Sequence, residues 1–416
     1  MTVQSSRTKS CFIPKRWYSE HPELGEPGRI PVEPFISVEQ FLRERERLWP
    51  KVWLKVARVE DIPSAGDYIV KDIPPTDSSL LIVRGRDNEV RAFHNVCPHR
   101  GSPLCWEKSG ETGSTSAIKC PFHGFTFDLS GNLRFIPDEE NFYNVDKGQY
   151  GLKMVLSEIW NGFIFVHLDP HPSESLGEFL GEVGERLSAH PFHDYTHYYE
   201  YRAVMKCNWK TMIGGFLENY HTATLHHNAA AYFTTSENPF SRNLLVQLGK
   251  RHRLISMFGN PDEPATPVGK IAFSHGTGFI KATADKENTP GAVNPTKSDN
   301  WSFDLNNIFP NFQLNVVNGA WYTHSFWPTG PEEMIWETRL YFSKPTNASE
   351  RFFQEYSKVT VRDVLLEDGT LTENVQKSLR SGVLDHMILQ DEEIAIQHFN
   401  HVVQSYTSQE SERIGA

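Results

Sequence analysis

Four side chains of metal-binding type, carried on two short turns, constrain this chain more than any other feature. Cys97 and His99 form a C-x-H pair. Cys120 and His123 form a C-x-x-H pair, with twenty residues between the two pairs. Two cysteines and two histidines can bind a structural zinc ion. They can also bind a [2Fe–2S] cluster, with both cysteines on one iron and both histidines on the other.

The order of the ligands within each turn separates these two kinds of site. Zinc fingers usually present their cysteines together and their histidines together. Here each turn carries one of each, so each turn can serve both irons of a cluster. Gly101 and Gly124 follow the pairs, and a residue without Cβ lets backbone N–H groups come close to cluster sulfur. The pattern therefore favours a [2Fe–2S] cluster, with a zinc site as the alternative.

The composition excludes several classes of protein. The chain has 416 residues, enough for two or three domains, and its net charge of −11 argues against nucleic acid or an anionic membrane as the main partner. No run of about eighteen apolar residues exists, so no membrane span is predicted. Residues 1–16 lack the apolar centre of a secretory signal. Five cysteines without evident pairing suit a reducing cytosol, so we expect a cytoplasmic protein.

The spacing of apolar residues predicts the order of the domains. A short helix follows Ser37 and ends near Pro50, and strand-like runs separated by Pro and Gly turns come next. The last of these runs, 159–168, is predicted as a single strand. Strands resume near 313–342 and are followed by helix, including 371–406. The predicted parts are an N-terminal tail and helix that pack with the catalytic part, an all-β domain with the cluster turns at its tip, and a catalytic domain, over residues 1–49, 50–168 and 169–416.

A second group of possible ligands lies between Glu218 and His226. Glu218 and His221 are three residues apart, so they share one face of a helix. His226 lies five residues beyond His221, about 140° round an ideal helix. Both histidines can reach one ion only if the helix ends or widens between them. His227 is adjacent to His226 and is a rival for its place.

Two histidines and one carboxylate are the ligand set that leaves open positions on Fe(II) for dioxygen. The carboxylate has to come from elsewhere, and residues 385–393 offer candidates on a predicted late helix. A histidine pair on a helix is by itself more often a polar surface or a satisfied core than a metal site. An electron-transfer cluster in a chain this long, however, implies a second centre that receives the electrons.

Both stretches together resemble the large (alpha) subunit of Rieske non-haem iron aromatic-ring-hydroxylating oxygenases. The likeness extends from about Phe41 to Gln404 and includes the motifs NWK at 208–210 and IFPN at 308–311. It implies an α+β fold. An N-terminal all-β Rieske domain precedes a catalytic domain in which helices flank an antiparallel sheet, of the helix-grip or START-like type.

The resemblance also implies cofactors and partners. One [2Fe–2S] cluster per subunit is expected on Cys97, His99, Cys120 and His123. An electron-donor reductase or ferredoxin, O₂ and a small organic substrate are the implied partners. Because the cluster and the iron of one chain lie far apart in this family, we expect a cyclic homotrimer or an α3β3 assembly.

For the mononuclear Fe(II), one per subunit, the resemblance implies His221, His226 and Asp391, with Glu392 as a rival to Asp391. Glu218 takes the place of the bridging carboxylate, which passes electrons from a cluster histidine of the neighbouring subunit to an iron-ligand histidine. The family often has aspartate at this bridge, whereas glutamate occurs in some quaternary-amine monooxygenases.

The implied activity is that of a terminal oxygenase component, which uses O₂ and electrons to mono- or cis-dihydroxylate an aromatic or related substrate. Oxidative N- or O-demethylation, or cleavage of a quaternary amine, is the alternative within the family. Aromatic residues of the late sheet, mostly core, could line a pocket for an arene or a quaternary ammonium. A Rieske electron carrier without oxygen chemistry is the alternative of another class. The length argues against it, since a carrier needs little more than residues 50–168.

Overall fold

The computed structural model describes residues 16–226, 233–260, 266–274, 292–317 and 319–408. The chain forms two compact units, and one is inserted in the sequence of the other. The catalytic unit comprises Met1–Val38 together with Asp194–Ala416, and the inserted unit comprises Glu39–His193. No helix in these described ranges has the length and hydropathy needed to cross a membrane.

The strands and helices of the described residues are numbered in chain order. The first eleven strands are β1 (Arg29–Pro31), β2 (Leu54–Arg58), β3 (Asp67–Ile73), β4 (Ser78–Arg84), β5 (Val90–His94), β6 (Thr112–Ser114), β7 (Ile118–Lys119), β8 (Thr126–Phe127), β9 (Leu133–Phe135), β10 (Met154–Trp160) and β11 (Phe163–His167). The others are β12 (His197–Met205), β13 (Leu245–Leu248), β14 (Arg253–Phe258), β15 (Trp301–Ile308), β16 (Phe312–Val317), β17 (Ala320–Gly330), β18 (Glu333–Phe342) and β19 (His386–Ile388). The helices are α1 (Val38–Arg47), α2 (Leu176–Leu187), α3 (Trp209–Gly215), α4 (Thr222–Leu225), α5 (Pro267–Phe273), α6 (Ala348–Leu379) and α7 (Ile394–Thr407).

The inserted unit extends beyond the predicted all-β segment at both ends, because a helix packs with it on each side. The side chain of Arg45, on α1, donates to the Pro75 carbonyl at 2.9 Å. Trp160, on β10, donates its indole N–H to the Gly184 carbonyl of α2 at 3.2 Å. The boundaries at 49/50 and 168/169 therefore give way to ones near 38/39 and 193/194.

Two antiparallel sheets make up the inserted unit. The larger has the order β2-β11-β10-β5-β4-β3-β6, and the smaller has the order β7-β8-β9. The prediction of a single strand over 159–168 is wrong, because this segment turns back on itself as the β10–β11 hairpin. Its turn is Asn161-Gly162, with φ of 44° and 81°. Asn-Gly favours the two-residue hairpin turn because both residues tolerate positive φ.

A seven-stranded antiparallel sheet, with the order β12-β18-β17-β16-β15-β14-β13, forms the centre of the catalytic unit. Helices α3, α6 and α7 pack against its strands. This arrangement confirms the predicted α+β class, with helices flanking an antiparallel sheet. Strands β13 to β15 were not predicted. In β15 the buried polar residues Asp304, Asn306 and Asn307 interrupt the apolar pattern that marks a strand.

The predicted helix over 371–406 is wrong in its middle part. Helix α6 ends at Leu379, Gly382 follows with φ of 69°, and α7 begins only at Ile394. Between the two helices, β19 pairs antiparallel with β1 near the other end of the chain. A strand that exists because of a partner so distant in sequence leaves little local signal.

Candidate metal centre and active site

The two cluster turns of the inserted unit have the same backbone arrangement. The Cys97 N–H donates to the carbonyl five residues later at 2.8 Å, and Gly101 donates back to the Cys97 carbonyl at 3.0 Å. The turn at Cys120 repeats both hydrogen bonds at 2.8 and 3.0 Å, with Gly124 in the place of Gly101. The glycines have φ of 76° and 78°, in the left-handed region. Glycine is thus required here by the backbone conformation, a reason the sequence did not show.

The four cluster side chains meet between these turns. Cys97 and Cys120 are buried, and the ring centroids of His99 and His123 are 4.7 Å apart. Nδ1 of His123 is buried and has no hydrogen-bond partner in the described part of the chain. Burial raises the pKa of the Cys97 thiol to about 11, so a thiolate here needs a cation beside it. This donor set fits a [2Fe–2S] cluster with two thiolate and two imidazole ligands.

In the catalytic unit, a break in the helix brings the second histidine pair together. Helix α3 begins after Asn208, whose side chain caps it by accepting the Lys210 N–H at 2.9 Å. The one-turn helix α4 follows, with His221 at its start and His226 at its end. The ring centroids of these histidines are 5.1 Å apart. The spacing required the helix to end or widen between the two histidines, and α4 does end at Leu225, just before His226.

Asp368 of helix α6 completes the set. Its Oδ1 lies 3.0 Å from Nε2 of His226 and 3.7 Å from Nε2 of His221. One ligand atom from each of the three residues lies within 4.8 Å of the others. Two imidazole nitrogens and one carboxylate oxygen in this arrangement fit the facial ligand set of a non-haem Fe(II).

A further carboxylate stands behind each histidine. Glu218 hydrogen-bonds Nδ1 of His221, and Oε2 of Glu367 lies 2.7 Å from Nδ1 of His226. Burial acts to lower the pKa of His221, but the carboxylates of Glu218 and Asp368 outweigh it and raise the pKa to about 9. Carboxylates at Nδ1 hold both rings with Nε2 towards Asp368, as outer partners of metal-bound histidines do.

Asp391 and Glu392, the expected third ligand and its rival, have other partners, and the carboxylate that the structure brings to the histidine pair is that of Asp368. The carboxylate of Asp391 accepts the backbone N–H groups of Trp17 and Tyr18 at 2.9 and 3.2 Å. Glu392 accepts the N–H of Asn243 at 2.9 Å. The predicted late helix here is strand β19 and a turn tied to the N-terminal segment. His227 lies outside the described residues.

Sequence reasoning missed Asp368 although a signal was present. Val361, Leu365, Asp368 and Thr372 recur at helical spacing on the inner face of α6, and Asp368 is the one charged member. A carboxylate on an otherwise apolar or neutral face costs free energy unless it has a partner. Such a residue is a better ligand candidate than the members of a run of consecutive acids, such as 391–393.

A cavity of about 90 Å³ adjoins the three residues. Apolar, aromatic and polar side chains line it, among them Phe216, Phe233, Phe303, Gln313, Tyr322 and His324. Among the aromatic residues of the late sheet, Phe303 reaches this cavity, whereas Trp301, Trp321 and Trp327 are fully buried core.

Comparison with known protein families identifies a family domain in each of the two units. The Rieske [2Fe–2S] domain profile matches residues 52–153, and the profile of the ring-hydroxylating alpha subunit catalytic domain matches 192–409, more than half of the chain. The chain belongs to the ring-hydroxylating alpha-subunit family. The predicted cofactors, a [2Fe–2S] cluster and a mononuclear non-haem iron, are confirmed as those of this family.

Named relatives of this alpha subunit differ in substrate. It is 34% identical over 202 residues to the carnitine monooxygenase oxygenase subunit of Escherichia coli K12, covering 48% of this chain and 53% of that protein. It is 28% identical over 335 residues to the methanesulfonate monooxygenase hydroxylase alpha subunit of Methylosulfonomonas methylovora, covering 76% and 73%. The chain thus spans about half the length of the first curated relative that it matches. A quaternary ammonium Rieske monooxygenase has a similar fold, with a TM-score of 0.73, 22% identity and coverage of 92% and 96%.

Proposed function

We propose that the chain is the terminal oxygenase component of a Rieske monooxygenase, which hydroxylates or oxidatively demethylates a small organic acid. A reductase or ferredoxin supplies the electrons. One observation supports this most directly. Nε2 of His221, Nε2 of His226 and a carboxylate oxygen of Asp368 converge beside a cavity. When bound there, Fe(II) supplies the activation of O₂. A Rieske electron carrier has no use for such a site.

The residues around this site have separate tasks in the proposal. Glu218 and Glu367 orient the two rings and keep their Nδ1 atoms occupied by hydrogen bonds. We also assign to Glu218 the role of the family's bridging carboxylate, which links an iron-ligand histidine to a cluster histidine of the neighbouring subunit, and its hydrogen bond to His221 supports this assignment. We therefore retain a homotrimer or α3β3 ring as the proposed assembly. The aromatic walls exclude water and limit how the substrate can turn.

The named relatives favour a substrate that carries an acidic group. The relatives named above are described as acting on carnitine and on methanesulfonate. Both compounds carry an acidic group and C–H bonds that can be oxidised, and this shared chemistry is the reason for proposing an organic acid.

Hydroxylation of a small arene is the second candidate, and the aromatic wall supports it. Phe216, Phe233, Phe303 and Tyr322 all line the cavity. Aromatic faces can hold an arene by stacking, and they can equally hold a quaternary ammonium group by cation–π attraction. A substrate panel has to include both kinds of compound.

The test combines metal analysis with turnover. The holoprotein should contain about three iron atoms and two acid-labile sulfides per chain. After anaerobic reduction, it is exposed to isotopically labelled O₂ with carnitine, methanesulfonate, glycine betaine and benzoate, and label in the products is measured by mass spectrometry. His221→Ala should keep the cluster absorption and lose all turnover. A wild-type protein with two irons and no labelled product with any compound would show an electron carrier instead.

A further inference from the structure

One row of side chains across the catalytic sheet is polar although it is buried. Antiparallel pairing aligns neighbouring strands so that paired residues share a face. The successive pairs join Arg253 to Asn307, Asn307 to Gln313, Gln313 to His324, and His324 to Thr338. All five are at most 2% exposed. Buried polar groups are costly unless they are paired, so this row requires a physical explanation.

Two members of the row, Gln313 and His324, line the cavity beside the proposed iron site. The hydrogen bonds of His324 determine which ring nitrogen carries the proton. Its Nδ1 lies 3.2 Å from the indole nitrogen of Trp336 and 2.7 Å from Oγ1 of Thr338. An indole N–H can only donate, so Nδ1 accepts.

Burial lowers the pKa of His324 to about 3, so its ring is neutral. A neutral imidazole whose Nδ1 accepts carries its proton on Nε2. Within the described part of the chain, Nε2 of His324 has no hydrogen-bond partner. His324 therefore brings an unused N–H donor to the wall of the cavity.

Behind Gln313, the row ends in a buried cation. The Gln313 amide nitrogen donates over long distances, 3.4 Å to the Phe216 carbonyl and 3.3 Å to Oδ1 of Asn315, and Oε1 has no partner among the described residues. Arg253 donates from one terminal nitrogen, to the Arg251 carbonyl at 3.0 Å and to Oδ1 of Asn307 at 2.9 Å. Its Nε and other terminal nitrogen have no partner in the described ranges, and no carboxylate there forms an ion pair with it. The guanidinium lies 5.0 Å from the ring centroid of Phe399, so a cation–π contact, and no carboxylate of the described residues, offsets this positive charge on the cavity side of the sheet.

We propose that His324 and Gln313 form the subsite for the oxyanion of the substrate, a carboxylate or a sulfonate, with Arg253 supplying a favourable electrostatic field from behind. The Nε2–H of His324 donates to the oxyanion, and the Gln313 amide, whose own bonds are long, turns its N–H group towards it. The aromatic residues on the other walls take the part of the substrate that is oxidised. This inference rests on the proposed function and specifies which end of the substrate is held, and by what.

The test uses two probes of nearly equal shape and different charge, methanesulfonate and dimethyl sulfone. Binding to the reduced holoenzyme is measured anaerobically by calorimetry, so turnover is not needed. Wild-type protein should bind methanesulfonate at least tenfold more tightly than dimethyl sulfone, and acetate more tightly than acetone. Equal binding of the two members of each pair shows that the polar row holds only water, and it overturns the proposal.

Variants identify the residues that make this distinction. His324→Phe should weaken methanesulfonate binding about 10- to 100-fold, the effect of a lost hydrogen bond to a charged group, and leave dimethyl sulfone within threefold. His324→Gln, which keeps a donor, should restore most of the affinity. Arg253→Met removes the charge about two strand spacings from Gln313 and should weaken methanesulfonate binding about tenfold. Thr323→Val, on the opposite face of the same strand as His324, is the matched control and should bind as the wild type does.

Iron and sulfide are measured on every variant, which separates this inference from the proposed function. A wild-type protein with its mononuclear iron and labelled products, but with no preference for the anionic probes, retains the function and overturns the subsite. The subsite is likewise overturned if His324→Phe and Arg253→Met, with full iron content, bind both probes as the wild type does.

Discussion

Removing Asp368 and Asp391 in turn tests which carboxylate completes the iron site. Asp368→Ala should lower the iron content from about three to about two atoms per chain, with acid-labile sulfide and the visible absorption of the cluster unchanged. Asp391→Ala should keep all the iron. It removes two charge-assisted hydrogen bonds, to the N–H groups of Trp17 and Tyr18 at 2.9 and 3.2 Å.

The cost of the second change follows from these contacts. A hydrogen bond to a charged group contributes about 1.5–3 kcal/mol, and the partial exposure of Asp391 places both bonds near the lower end. The loss is then about 2–4 kcal/mol, or a fall in Tm of roughly 5–10 °C for a unit of this size. Atomic emission spectrometry measures the iron, and scanning calorimetry measures Tm. If Asp368→Ala keeps its third iron, or if Asp391→Ala loses iron at an unchanged Tm, the assignment to Asp368 is refuted.

Three further predictions concern the surroundings of the site. Glu367→Gln weakens the hydrogen bond to Nδ1 of His226, so the affinity of the site for iron, measured by competition with a chelator, should fall about 10- to 100-fold. An affinity equal to that of the wild type would contradict this role of Glu367. The pKa of His324 is about 6.5 in the unfolded chain, and burial lowers it to about 3 in the folded protein. As the pH falls from 7.5 to 5.5, only the unfolded chain binds a proton at this residue, so the free energy of unfolding falls by about 1.4 kcal/mol. His324→Gln should therefore reduce the fall in Tm over that interval by roughly 3–6 °C, and an unreduced fall argues against a neutral buried ring. Gln376, fully buried, makes four hydrogen bonds of 3.0 Å, two of them to Asn208 and Thr211 at the start of α3. Gln376→Leu should lower the free energy of unfolding by about 3 kcal/mol or more, as measured with urea, and a change below about 1 kcal/mol would show that these bonds are not formed.

The parts of the site that could be predicted are those whose residues lie close together in sequence. The cluster turns place Cys97 beside His99 and Cys120 beside His123, so spacing alone indicates a metal centre. His221 and His226 are equally local, and the condition that the helix ends or widens before the second histidine could be stated in advance. A single turn of helix separates the two residues, and it ends at Leu225, immediately before His226.

Asp368 could not be placed in the same way, because its position depends on how helix α6 packs against α3 and the sheet. The acidic run near Asp391 was more conspicuous in the sequence and the resemblance pointed to it, whereas the structure brings Asp368 to the histidine pair. The polar row was also hidden. Asn307 interrupts an apolar pattern and Gln313 begins a predicted strand, and only the pairing of the strands shows that the two residues share one face.

The pairing of β1 with β19 sets an order of events for a chain that is still being made. Pro31 leaves the ribosome well before its partner in the sheet, His386, which lies 355 residues later in the sequence (386 − 31). At about 5–20 residues per second, β1 waits roughly 20–70 s for β19. The inserted unit, Glu39–His193, is complete long before that. Iron and sulfide can thus be delivered to Cys97 and Cys120 while most of the catalytic unit is still to be synthesised. The cluster and the mononuclear iron therefore need not be inserted by the same route or at the same time.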